Sequence, residues 1–105
     1  MLIITVHLYG KNGIRGEFKD YETKALSIFQ KHGGEVVYTY VPLRNNNSVD
    51  IPDEIQVLKI SNQEMFQKFM QDPERVSLAA ERDSVIRKTE VFLSESMIEY
   101  SLPAH

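Results

Sequence analysis

Cysteine is absent from the 105 residues. That excludes disulfides, thiolate zinc sites and cysteine nucleophiles together. No apolar run reaches the roughly 18–20 residues that a membrane-spanning helix needs. An excess of positive charge is lacking too: 12 Lys and Arg stand against 15 Asp and Glu, a net charge of −3. This balance argues against nucleic acid or an anionic membrane as a partner. The apolar start, Met1 to Tyr9, has neither a basic leader nor a small-residue cleavage site. It is not read as a signal peptide, and a cytoplasmic location is expected. Glycine and proline are few, 5 and 4, and there is no internal repeat or low-complexity segment. What is present, 42% hydrophobic and 26% charged residues, suits one globular domain. A chain of this size buries roughly two-thirds of its unfolded surface, enough for one core.

Leu2 to Tyr9 is rich in β-branched residues and reads as a strand, with Leu2, Ile4, Val6 and Leu8 on one aliphatic face. Its other face carries Ile3, Thr5, His7 and Tyr9. After the turn residues Gly10-Lys11-Asn12-Gly13, with Asn12 as a possible cap, apolar residues recur at Ile14, Phe18, Tyr21, Ala25, Ile28 and Phe29. This is one stripe of a helix, and Gly33-Gly34 supplies its stop. Glu35–Val41 is the second strand, closed by Pro42. A polar loop follows; its Asn46-Asn47-Ser48 matches a glycosylation sequon, a match without meaning in the absence of a secretory signal. Glu54–Ile60 is the third strand. Ser61-Asn62-Gln63-Glu64 fits a capping box before a helix with Met65, Phe66, Phe69 and Met70 on its apolar face. Asp72-Pro73 interrupts that helix and starts another. The new helix is expected to run to about Lys88, with Val76, Ala79, Ala80 and Ile86 inward, before a fourth strand at Thr89–Leu93.

The order β-α-β-β-α-β predicts an α+β, ferredoxin-like fold: a four-stranded antiparallel sheet with the helices on one face. The other face then needs a partner, and a two-fold homodimer through the open sheet faces is the simplest one. Residues 1–94 form the domain. Residues 95–105 form a tail whose Met97, Ile98, Tyr100 and Leu102 are expected to pack on the partner subunit.

Particular residues carry a family likeness: His32-Gly33-Gly34-Glu35, Glu54-Ile55-Gln56-Val57-Leu58-Lys59-Ile60-Ser61, Phe66, Phe69, Asp72-Pro73-Glu74-Arg75, Leu78-Ala79, Arg82-Asp83 and Arg87-Lys88-Thr89-Glu90-Val91. Over Met1 to Leu93 the chain resembles the dimeric α+β barrel superfamily, and within it small uncharacterised bacterial proteins of a family of unknown function. The resemblance implies a dimer. It implies no single chemistry, because members include cofactor-free monooxygenases, haem-degrading enzymes, small-molecule isomerases and ligand-sensing modules. Haem-degrading relatives use an axial His from the second helical region, and no His occurs between Asn62 and Lys88. No cofactor is therefore expected.

The residues themselves offer no identifiable catalytic constellation. His7, His32 and His105 show no metal-ligand spacing, so no metal is expected. No serine lies in a G-x-S-x-G context and no glycine loop cradles phosphate. His7 and Tyr9, two apart on one strand face, read as a half-buried polar pair at the dimer interface; the functional reading makes His7 a proton acceptor or substrate hydrogen-bonder. Tyr38 and Tyr40 are expected on that same face. Asp83 and Arg87, four apart, read as an ion pair along one helix. Functionally, Arg87 would stand at a pocket mouth, facing a carboxylate or enolate. Arg75 and Arg82 read as solvated, and Arg44 as a loop residue within reach of a cleft rim. The weak ligand-binding candidates are thus His7, Tyr9, Tyr38, Asp83 and Arg87. The expectation is a homodimer that binds a small ligand. The alternative is a cofactor-independent monooxygenase or isomerase acting on an aromatic or polyketide-like molecule. A buried cavity reaching Asp83, Arg87 or Tyr21 would favour the enzyme.

Overall fold

The structure, a computed structural model, describes residues 1–44 and 49–104; the sequon-like Asn46-Asn47-Ser48 and His105 lie outside the described residues. The elements are β1 (Leu2–Gly10), α1 (Arg15–Lys31), β2 (Glu35–Tyr40), β3 (Glu54–Ile60), α2 (Gln63–Met70), α3 (Pro73–Val76), α4 (Ala79–Val85) and β4 (Ile86–Ser94). The strands form one antiparallel sheet in the order β2-β3-β1-β4. This is the expected split β-α-β arrangement.

Local chemistry accounts for most boundaries. Phe18, Tyr21, Ile28 and Phe29 put the apolar stripe of α1 on the sheet. Gly33, at φ +85°, takes the left-handed conformation that ends α1. Gly34 lies under Phe29, where a Cβ would come within 2.3 Å of the ring. Asn12 does not cap α1: Ile14 stands at the cap, with no side-chain hydrogen bond. At α2 the cap is Asn62 rather than Ser61, its side chain accepting from the Met65 amide at 2.9 Å. Asp72 caps α3 with Pro73 in first place, as expected.

The third expected helix is corrected. It breaks after Val76, resumes as α4 and ends at Val85, and the strand begins at Ile86 rather than Thr89. Pairing with β1 decides this: Ile86 lies opposite Gly10, and the Lys11 amide donates to the Val85 carbonyl at 2.9 Å. Strand geometry also buries Ile86. Val76, Ala79 and Ala80, expected inward, are exposed, and Leu78 and Val85 pack in their place.

The core lies between sheet and helices in two clusters. One is Leu2, Ile4, Phe29, Leu58 and Ile60; the other is Leu8, Phe18, Tyr21, Val85 and Ile86. Val6 packs against both. The opposite sheet face has no helix over it. Cross-strand register puts His7, Ile55 and Tyr40 there together, and likewise Thr5, Val57, Tyr38 and Phe92. All six residues of β2 are exposed. Among the described residues, no helix is long and apolar enough to cross a membrane.

Candidate functional site

Between the two core clusters the helix–sheet layer is not filled. A cleft of about 400 Å³ remains, at the small end of the roughly 300–1,000 Å³ of small-molecule sites. Its floor is Ile4, Val6 and Leu8 of β1, flanked by Leu58 and Val91, and its walls include Phe29, Phe66 and Phe69. The aliphatic face of β1 therefore does pack under helices, as the alternation predicts, but it leaves room above it. The aromatic and methionine face of α2 serves partly as core and partly as cleft wall: Phe69 meets Phe29 edge to face at 5.1 Å between centroids.

Six polar side chains line this apolar space: Tyr21 and Glu22 from α1, Gln56 from β3, Arg75 from α3, Arg82 from α4 and Thr89 from β4. Glu22 is 8% exposed and Gln56 only 2%. The Gln56 side-chain amide donates to Glu22 Oε1 at 2.8 Å and to Glu54 Oε1 at 2.9 Å. One amide thus bridges two carboxylates. Burial pushes the Glu22 carboxyl up to about 7, against the Gln56 hydrogen bond; the Glu54 carboxylate adds to the rise and Arg82 opposes it. Near neutral pH both protonation states of Glu22 are available. Burial likewise raises the Tyr21 hydroxyl, with Glu22 adding and the guanidinium groups of Arg82 and Arg75 opposing.

β1 itself brings no base to this cleft. The carboxylate comes from α1, a position that sequence reasoning did not single out. The signal was there: Phe18, Leu26 and Phe29 lie four before, four after and seven after Glu22, so a helical wheel sets it inside the apolar stripe. Gln56 carries the parallel signal in β3, on the same face as the buried Leu58 and Ile60.

The candidates named from sequence lie elsewhere. His7 and Tyr9 are brought together through a third group: the Tyr9 hydroxyl donates to Glu90 Oε1 at 2.6 Å, and His7 Nδ1 stands 3.5 Å from the same oxygen. That hydrogen bond, with burial and the nearby carboxylates, raises the Tyr9 hydroxyl to about 12. The Tyr9 ring is covered by its own chain, with Lys88 Nζ 4.5 Å and the Arg87 guanidinium 5.2 Å from its centroid. Tyr38 is on the same sheet face but beyond β3, stacked on Tyr40. Asp83 and Arg87 do not pair. Their helix ends between them, so the spacing of four no longer places them on one face. Asp83 contacts Arg82 at 3.6 Å, whereas Arg87 binds Asp50 at the surface. Neither lines the cleft, but Tyr21 does. Arg75 and Arg82, read as solvated, are cleft residues. Arg44 binds Asp53 and the Ile51 carbonyl. Among the described residues no cluster of three or more metal-ligating side chains forms.

Solved structures place this architecture. Similar to it are a protein of unknown function from Rhodopseudomonas palustris (TM-score 0.77, 10% identity, 93% of this chain and 83% of that one) and a nipsnap family protein of unknown function from Agrobacterium tumefaciens (TM-score 0.64, 20% identity, 90% and 86%). A dabb family protein from Mesorhizobium loti, described as having a ferredoxin-like fold, is also similar (TM-score 0.62, 15% identity, 91% and 96%). The chain has the ferredoxin-like fold. The expected ferredoxin-like fold is thereby borne out, and neighbours sharing it include proteins of the nipsnap and dabb families. These ferredoxin-like neighbours are of unknown function or named by family alone, and none identifies a catalytic role. No family model and no curated protein matches the chain.

Proposed function

We propose that this protein is a homodimer that binds a small, mostly apolar molecule in the helix–sheet cleft, whose lining includes the buried polar groups of Glu22 and Gln56. The carrying observation is the pairing of a roughly 400 Å³ apolar cleft with a buried carboxyl held by Gln56. Both side chains line the cleft, although they are almost wholly shielded from solvent. The dye anilinonaphthalene sulfonate, an aromatic anion that fluoresces in apolar surroundings, tests the cleft. It should bind the native protein saturably, and Ala25→Trp, which fills the cleft from α1, should abolish the fluorescence gain. An undiminished signal in that variant would place the dye elsewhere and remove the proposal.

The dimer reading commits to a second copy of this chain on the open sheet face. Tyr38, Tyr40 and Phe92 are each more than half exposed there. Light scattering at micromolar concentration should return twice 12.1 kDa; a monomer sinks this reading. Met97, Ile98, Tyr100 and Leu102 are all at least 73% exposed, and the partner subunit is the cover we assign them. Truncation after Ser94 should weaken self-association by about tenfold or more, roughly the 1.4 kcal/mol gained by burying one large side chain; an unchanged dissociation constant contradicts it. A cytoplasmic location belongs to the same proposal.

Two observations favour a second reading, a cofactor-independent isomerase or monooxygenase of an aromatic or polyketide-like molecule: the cleft reaches Tyr21, and a carboxyl lines it. The Glu22 carboxyl, raised to about 7 by burial, suits proton transfer near neutral pH. In an isomerisation its carboxylate would take a proton from one carbon of the bound molecule and return it at another.

A further inference from the structure

We infer that the cleft is built for an amphiphilic monocarboxylate, whose carboxylate is received by Arg75 and Arg82 beside the Tyr21 hydroxyl while its apolar body lies over Val6 and Phe29. The inference rests on the cleft being a ligand site and adds the ligand's class. Arg75 and Arg82 come from different short helices, α3 and α4, yet line the same cleft. Neither is consumed by the fold. Arg75 donates one hydrogen bond, from Nη1 to the Met70 carbonyl at 3.1 Å, and lies over the Phe69 ring at 5.2 Å. It makes no ion pair among the described residues. Arg82 donates from Nη2 to Thr89 Oγ1 at 2.9 Å, and its carboxylate contact is Asp83 at 3.6 Å, whose side chain is 76% exposed. A guanidinium has five donor hydrogens in a planar fork that fits a carboxylate, so both retain donors for a guest.

Tyr21 ties the two together. Its hydroxyl has no hydrogen-bond partner among the described residues, and both guanidinium groups favour its ionised form. All three line the same cleft. Two cations face one carboxyl, Glu22, along the cleft, so the lining carries net positive charge in either protonation state of Glu22 and favours an anion. Phe29, Phe66 and Phe69 present a wall that gains from an alkyl or aryl body rather than a sugar or nucleotide.

Calorimetric titration of octanoate and phenylbutyrate against octanol and phenylbutanol tests this on the intact protein. The acids should bind about tenfold or more tightly than the matched alcohols. Arg75→Gln and Arg82→Gln should each weaken acid binding by about tenfold and leave alcohol binding unchanged. Should Arg82→Gln loosen the fold through its lost bond to Thr89, Arg75→Gln still decides the matter. Equal binding of acids and alcohols, or acid binding indifferent to both substitutions, overturns the anion site and leaves the apolar cleft standing. Acid binding that persists in Ala25→Trp overturns it by placing the ligand outside the cleft. Failure of both acids and alcohols to bind overturns the cleft reading itself.

Discussion

Replacing Glu22 by Gln stabilises the fold at about pH 8 and leaves it unchanged at about pH 4, by an amount on the order of 3 kcal/mol at the upper end. Burial is the reason. In the folded chain the Glu22 carboxyl is raised to about 7 from its ordinary 4.5. Below the ordinary value both folded and unfolded chains hold the proton, and the group contributes no difference. Between the two values the unfolded chain has released the proton and the folded chain still binds it, so stability falls as pH rises. Above about 7 the folded chain ionises as well and the loss is complete. Gln keeps an oxygen for the Gln56 amide and has no charge to bury. Asp72, held low by the His32 hydrogen bond, and Asp50, held low by Arg87, act in the opposite sense. Both are present in the two proteins and cancel in the comparison. Urea denaturation across the pH range reads the difference directly, and two parallel stability curves would show that Glu22 titrates as it does in water.

Phe29→Ala costs about 3–5 kcal/mol, a large share of the roughly 5–15 kcal/mol that holds a domain together. Phe29 is 1% exposed, sits in the cluster with Leu2, Ile4, Leu58 and Ile60, and meets Phe69 edge to face. Its ring also lies on Gly34 so closely that the chain at the start of β2 is shaped around it. Truncation removes the transfer energy of the ring and leaves a hole that merges with the cleft, so relaxation offsets little of the loss. The denaturation midpoint should fall at an unchanged slope. A loss below about 1 kcal/mol would mean that the helix layer collapses onto the sheet and that the cleft is not held open.

How far the sequence foretells this molecule depends on the range over which each signal acts. The stripe of α1, the cap of α3 at Asp72 and the stop at Gly33 are local, and each was legible. So was the strand order, because short connections and right-handed crossovers leave few alternatives. The end of α4 was not legible: Val85-Ile86-Arg87-Lys88-Thr89 contains neither Gly nor Pro, and the helix stops there because β1, some 75 residues earlier, takes its backbone bonds. That one shift sends Arg87 to Asp50 and dissolves the expected pair with Asp83. The Tyr9–Glu90 contact spans 81 residues and had no local trace. Glu22 is a different kind of miss. Its position is readable from the helical spacing, but a stripe traced through apolar residues alone does not include a carboxylate lying within it.

The two core clusters meet only where Val6 packs against both. β1 and α1 run through both halves and keep them one unit, and the cleft lies where side-chain packing between them thins to Val6. A guest there would touch both halves at once and add packing across that line. By linkage, its binding would add to the stability of the folded chain.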